Sequence, residues 1–299
     1  MAKTAPATLE TEEFHLEELD NNIFMLRENY YTSWNQPNIW VLKGAERDLI
    51  IDTGIGLWDL PGFLKKNNII GEKPYEAVAT HIHFDHTGGA HQFEKFSIHR
   101  LEGDAIEKGN QYVCCSLMTA KEIARPPTQD WRAQNYKVLA AKPSRLLEDG
   151  DLFDLGDRQL RVIHLPGHTV GSIALYEENT KSLFSGDVAY IGPLLDVLPT
   201  SNVTHYIQTA QKLRELAPNV DKVYPGHGVV FDGSTLDGLM AEYIASKQAC
   251  CAGVQVTCGT PVVSCLLKGR NSSNLAAACC WKGCCCYYCM QCKISTTPH

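Results

Sequence analysis

The chain has 299 residues, 44% hydrophobic and 20% charged, long enough to bury a full core and too apolar for wholesale disorder. A formal net charge of −7 leaves no surplus of Lys and Arg to replace phosphate counterions, which argues against nucleic-acid binding. No apolar run reaches the ~20 residues that span a bilayer. Residues 1–19 read as a polar leader. They are acidic and lack the apolar stretch of a signal peptide, so a cytoplasmic, non-secreted protein is expected. The body is expected over 20–248 and a cysteine-rich tail over 249–299.

Short β-rich segments open the body: Ile23–Arg27, Asn38–Lys43 and Asp48–Asp52, the last running into Thr53-Gly54. A helix is expected near Trp58–Asn67, then a buried strand Ala77–Thr80 that leads straight into His81-Ile82-His83-Phe84-Asp85-His86. Gly88-Gly89 reads as the opening of a further helix. Residues Cys114–Lys142, with Pro126-Pro127, read as an irregular insertion that walls or covers a site. A second β-rich half follows, with Leu160–Leu165 ending at Pro166-Gly167-His168. Ile173–Tyr176 and Ser182–Ser185 form a hairpin pair ending at Gly186-Asp187. Val203–Leu216 has helical spacing, Lys222–Tyr224 is a short strand ending at Pro225-Gly226-His227, and Thr235–Gln248 is a closing helix. This order predicts two sheets packed face to face with helices outside. Four strand ends each carry a candidate ligand, where α/β architectures keep their sites.

Three histidines and a carboxylate within six residues suit a zinc ion, which takes imidazole nitrogen and carboxylate oxygen at ~2.0–2.2 Å. A solvated surface loop gives no reason for such a concentration. His168, His227 and Asp187 are weak signals singly, since a lone His is usually structural and an Asp after a strand usually caps a turn. Together with His81, His83, Asp85 and His86 they make seven donors, enough for two ions sharing one carboxylate. His164 lies within a strand and reads as a core residue, while His91, His99 and His205 have no partner motif.

On these residues, in this order and together with Asp52-Thr53-Gly54, the chain resembles the metallo-β-lactamase superfamily over roughly residues 20–248. The resemblance implies an α/β fold of the four-layer αββα kind. It implies one metal held by His81, His83 and His168, another by Asp85, His86 and His227, and Asp187 between them. Asp52 would then orient the site through its ligands. Two ions ~3.5–4 Å apart hold a hydroxide at neutral pH and polarise a carbonyl, so hydrolysis needs no Ser or Cys nucleophile. Asp85 would accept the proton. Di-iron redox relatives are similar but place a carboxylate where His83 stands, which favours zinc over iron or manganese.

A closer resemblance runs through Asn38-Ile39-Trp40, Ile51–Leu57, Ala77–His86, Asp149-Gly150-Asp151, Leu155–Leu160 and Leu183–Val188. These segments are similar to those of an animal branch of the superfamily that hydrolyses the thioester of long-chain acyl-coenzyme A, such as palmitoyl-CoA, which implies that substrate here. A lactonase or a hydroxyacyl-glutathione hydrolase would use the same metals. Tyr190, three residues after Asp187, is where similar lactonases place an assisting tyrosine, and it is equally a packed aromatic. A non-catalytic metal scaffold is disfavoured because no donor is missing. Eleven of the 13 cysteines lie between Cys250 and Cys292. They match no zinc-finger spacing cleanly. The resemblance favours S-acylation of Cys250 and Cys251 and peripheral attachment to a cytosol-facing membrane, while metal binding and a disordered terminus remain open for this tail.

Overall fold

The computed structural model describes residues 8–33, 36–116 and 118–253. The side chains of Cys250 and Cys251 and all of residues 254–299 lie outside the described residues. Residues 8–18, expected as leader, instead form two strands, β1 (Thr8–Glu10) and β2 (Phe14–Glu18). The alternation Phe14-His15-Leu16-Glu17 is a half-buried strand pattern, with Phe14 and Leu16 inside. Its acidic setting hides it among leader-like residues.

An eight-stranded sheet runs in chain order from β1 to β8. β2, β3 (Ile23–Glu28), β4 (Ile39–Lys43) and β5 (Asp48–Ile51) form an antiparallel meander. Helix α1 (Leu60–Lys66) crosses to β6 (Tyr75–Val78), which pairs parallel with β5. Helix α2 (Phe84–Thr87) precedes β7 (Phe96–His99), helix α3 (Arg100–Glu107) follows it, and β8 (Arg145–Leu147) completes the parallel edge. The second sheet has five strands. β9 (Leu152–Asp154), β10 (Gln159–His164), β11 (Ile173–Glu177) and β12 (Ser182–Gly186) pair antiparallel in chain order. After helix α4 (Val203–Leu216), β13 (Lys222–Pro225) joins β12 in parallel. Helix α5 (Gly233–Gly253) closes the described chain. One compact unit runs to Met240 and a second begins at Ala241.

Period-two alternation divides the apolar residues between two cores. Ile23, Met25, Trp40, Leu42, Leu49 and Ile51 turn inward to meet Leu160, Val162, Leu175 and Phe184 of the second sheet. Phe24, Leu26, Ile39, Val41 and Ile50 turn outward, onto a layer that includes Leu60 and Leu64 of α1 and Ile106 of α3. Each such fully buried side chain contributes ~1.5–3 kcal/mol. Arg158 and Glu177 make a buried two-point ion pair, and the Arg158 guanidinium also donates to Asn21 O at 2.8 Å, tying the turn before β3 to the second sheet.

Two expectations change here. Gly88-Gly89 opens no α-helix: α2 ends at Thr87, and only a 3₁₀ turn, Ala90–Gln92, follows. A Cβ on Gly88 would lie 2.1 Å from Ile55 O, and one on Gly89 2.5 Å from Thr53 O. These glycines let the α2 end press against the loop after β5. The 114–142 insertion is irregular as expected, but it is pinned to the chain after β3 by Thr32 N–H to Glu122 O and Ala124 N–H to Tyr30 O, both 2.8 Å.

Candidate metal centre

Five strand ends meet at one edge of the sandwich. Asp52 follows β5, the His81–His86 run follows β6, His168 follows β10, Asp187 follows β12 and His227 follows β13. The two sheets are stitched together around them. Ile173 N–H donates to Thr80 O at 2.8 Å, Asn38 N–H to Gly226 O at 2.7 Å, and the Trp40 indole to Pro225 O at 3.0 Å. Gly186 has a positive φ of 50° and faces Thr80 so closely that a Cβ would lie 2.5 Å from its hydroxyl oxygen. All seven expected donors are buried, His81 at 1% and His168 at 0% exposure.

The structure brings them into three overlapping clusters: His81, His83 and His168; Asp85, His86 and His227; and His81, His86 and Asp187. His81 Nε2, His83 Nδ1 and His168 Nε2 stand 2.9–3.2 Å from one another. Donors held by one tetrahedral ion at bonds of ~2.0–2.1 Å would stand ~3.3–3.4 Å apart, close to this triangle. Asp85, His86 and His227 form a second group, with Asp85 Oδ2 3.7 Å from His86 Nε2 and 3.6 Å from His227 Nε2. Asp187 reaches both: its Oδ2 is 3.1 Å from His227 Nε2 and 3.6 Å from His168 Nε2, and its Oδ1 is 3.4 Å from His86 Nε2.

Four of the five histidines have their outward nitrogen fixed. His86 Nδ1 lies 2.8 Å from Asp52 Oδ2, His168 Nδ1 2.8 Å from Leu195 O, His227 Nδ1 3.2 Å from Gln36 O, and His81 Nδ1 3.1 Å from the Thr80 hydroxyl. Asp52 itself accepts from Thr80 N–H at 2.7 Å and from the Thr80 hydroxyl at 2.9 Å. Such outer partners set ring orientation and tautomer in metal-binding histidines. Burial holds His81 and His83 well below the usual histidine range, in the neutral form that ligates. Burial works against charge on His86 as well, but Asp187, Asp85 and Asp52 outweigh it and lift that imidazole to about 10.

The donor set fits a divalent metal. Asp187 Oδ1, which faces the centre, is buried without a hydrogen-bond partner, a costly state for a polar atom unless a ligand satisfies the site. Five imidazoles and two carboxylates with no thiolate suit zinc or iron. Tyr190 takes a different place from a free substrate contact. It is 3% exposed, its hydroxyl donates to Pro193 O at 2.6 Å, and its ring stands 5.5 Å edge-on from His227. His164 is half-buried and stacks on His99 at 4.0 Å rather than sitting in the core. Two buried glutamates beneath the centre, Glu28 and Glu102, escape the sequence reading altogether.

The Metallo-beta-lactamase superfamily profile matches residues 32–227, a span holding all seven donors. This chain is a member of that superfamily. It is 42% identical to the acyl-coenzyme A thioesterase MBLAC2 of Gallus gallus over 87% of this chain and 96% of that protein. Among solved structures, the metallo-beta-lactamase family protein TTHA1429 of Thermus thermophilus superposes with a TM-score of 0.58 at 20% identity, covering 76% of this chain and 80% of that one. TTHA1623 in a di-iron-bound form superposes with a TM-score of 0.52 at 25% identity, over 71% of this chain and 96% of that one. The fold is thus shared, and the residues at the centre decide what it does.

Proposed function

We propose that the chain is an acyl-coenzyme A thioesterase that holds two zinc ions and prefers long acyl chains such as palmitoyl. The supporting observation is a complete donor cluster in a chain 42% identical, over 87% of its length, to a protein named an acyl-coenzyme A thioesterase. His81, His83 and His168 would hold one ion, Asp85, His86 and His227 the other, and Asp187 would serve both. Bound there, the metals supply a Lewis acid for the thioester carbonyl and make water acidic enough to attack near neutral pH.

The chain's own residues do the rest. Asp85 accepts one proton of the attacking water and passes it to the departing sulfur as the thioester C–S bond breaks, which releases the fatty acid and the coenzyme A thiol. Asp52 keeps His86 turned toward the centre through the 2.8 Å bond to its Nδ1. A cysteine nucleophile is not at hand among the described residues, because burial pushes the Cys114 and Cys115 thiols up to about 12. The lactonase reading loses its residue, since the Tyr190 hydroxyl is committed to Pro193 O.

The test is a panel of palmitoyl-CoA, short acyl-CoAs, hydroxyacyl-glutathione and an acyl-homoserine lactone at equal concentration, with and without chelator. Expected are the highest kcat/KM on palmitoyl-CoA, loss of turnover on chelation, and recovery with zinc. A lactone preference with Tyr190→Phe strongly impaired would replace this reading by the alternative.

Membrane attachment forms a second part of the proposal. Helix α5 carries the backbone through Cys250 and Cys251, and none of the described helices is long and apolar enough to cross a membrane. Two acyl chains on this pair would anchor the protein durably where one binds only marginally. Hydroxylamine, which cleaves thioesters, is expected to move it to the soluble fraction. A Cys250→Ser, Cys251→Ser double variant that fractionates like wild type would contradict the anchor.

A further inference from the structure

Under each half of the centre lies one fully buried glutamate that touches no donor. Glu28, at the end of β3, is 1% exposed. Its Oε2 accepts the Ile55 N–H at 2.8 Å, its Oε1 accepts the Gly56 N–H at 3.3 Å, and the Tyr30 hydroxyl donates to the same carboxylate. The loop it grips leads from Asp52. Thr53 binds back to His86 O through its N–H and its hydroxyl, both at 2.9 Å, and a Cβ on Gly56 would lie 2.3 Å from Gly88. Glu28 therefore sits under the segments that aim Asp52 and His86.

Glu102, in the first turn of α3, is likewise 1% exposed. Its Oε1 accepts the Gly171 N–H at 3.3 Å, while its buried Oε2 has no hydrogen-bond partner. Gly171 lies in the short loop that begins at His168, within which the Thr169 and Ser172 hydroxyls meet at 2.8 Å. Glu102 thus backs the loop that carries His168, one donor of the three-histidine group. The parallel extends to packing: a Cβ on Gly54 would lie 2.6 Å from the Glu28 carboxyl, and one on Gly171 2.6 Å from Glu102 Cγ. In each case a glycine lets the backbone close over the carboxyl. Burial pushes both carboxyls up to about 7, against the hydrogen bonds that pull them down, so neither is a cheap filler of apolar space.

We infer that these are paired positioning residues, one per metal position: Glu102 sets the affinity of the His81, His83, His168 position, and Glu28 that of the Asp85, His86, His227 position. The inference rests on the metal reading of the centre. Outer partners of metal ligands are commonly worth 10–100-fold in affinity, and these two act through short backbone spans. An apolar core would hold the strands equally well, but it would not fix the loop amides.

The experiment measures zinc binding by chelator competition in full-length protein, independently of turnover. Two backgrounds isolate the positions: His168→Ala weakens the first, Asp85→Ala the second. Into each goes Glu28→Gln or Glu102→Gln, a change that keeps shape and removes charge. Expected is a loss of ~10-fold or more from Glu28→Gln only where the second position remains, and from Glu102→Gln only where the first remains. Equal losses in both backgrounds, or none, would overturn the assignment and leave the glutamates as general supports. Wild-type protein that binds no zinc would overturn the metal reading too. If a Gln variant fails to fold, Gly171→Ala and Gly54→Ala press the same carboxyls from the other side and are expected to show the same selectivity.

Discussion

Asp187→Ala is expected to cost most of the bound metal and to cut turnover by more than ~100-fold, beyond the range of an outer partner because a direct donor is lost. Asp187 faces donors of both groups, with His227, His168 and His86 nitrogens 3.1–3.6 Å from its two oxygens. Burial raises the cost of its charge, but His227 and His86 outweigh that and hold the carboxyl well below the usual aspartate range. Removing it leaves five imidazoles crowded at one edge with one remaining donor carboxylate. Elemental analysis beside kcat checks the result, with circular dichroism confirming the fold. A variant that kept a full metal complement would show that Asp187 does not serve both positions. Asp187→Asn, which preserves shape, is expected to fall between the two.

The donors were legible because ligation needs particular side chains, and those side chains stand at strand ends whose apolar runs are themselves readable. Ile173–Glu177 and Val203–Leu216 lie within a residue of where alternation and helical spacing put them. What escaped was short or disguised. β8 and β9 have three residues each, too few for a period to show. Phe96–His99 and α3 carry no turn signal between them, since His99 itself caps the helix. Phe14 and Leu16 sit among glutamates. Glu28 and Glu102 are the sharper lesson. A glutamate in sequence reads as surface, and only the loops folded over it, through Gly54 and Gly171, turn it into an internal brace. Chemistry carried by donor type is visible in one dimension, whereas chemistry carried by backbone amides is not.

Asp85→Asn is expected to lower kcat by ~10²–10⁴ while KM changes little, the signature of a group that moves a proton in the transition state. Asp85 lies in the first turn of helix α2 and is 5% exposed, with its Oδ2 turned toward His86 and His227. An amide offers an oxygen to the same neighbours but takes no proton from water. The prediction therefore separates two jobs of one residue: holding metal, which asparagine does in part, and accepting a proton, which it cannot. Metal content must be measured on the same preparation and rates compared at full occupancy, reached with added zinc. Asp85→Glu keeps the proton acceptor but displaces it by a methylene, and it is expected to recover part of the rate. If asparagine at full occupancy turned over like wild type, the proton would have another acceptor. Glu28 is a further carboxylate in electrostatic reach of Asp85. It is shut behind Gly54 with its oxygens committed to Tyr30, Ile55 and Gly56, so it could not substitute without the loop opening.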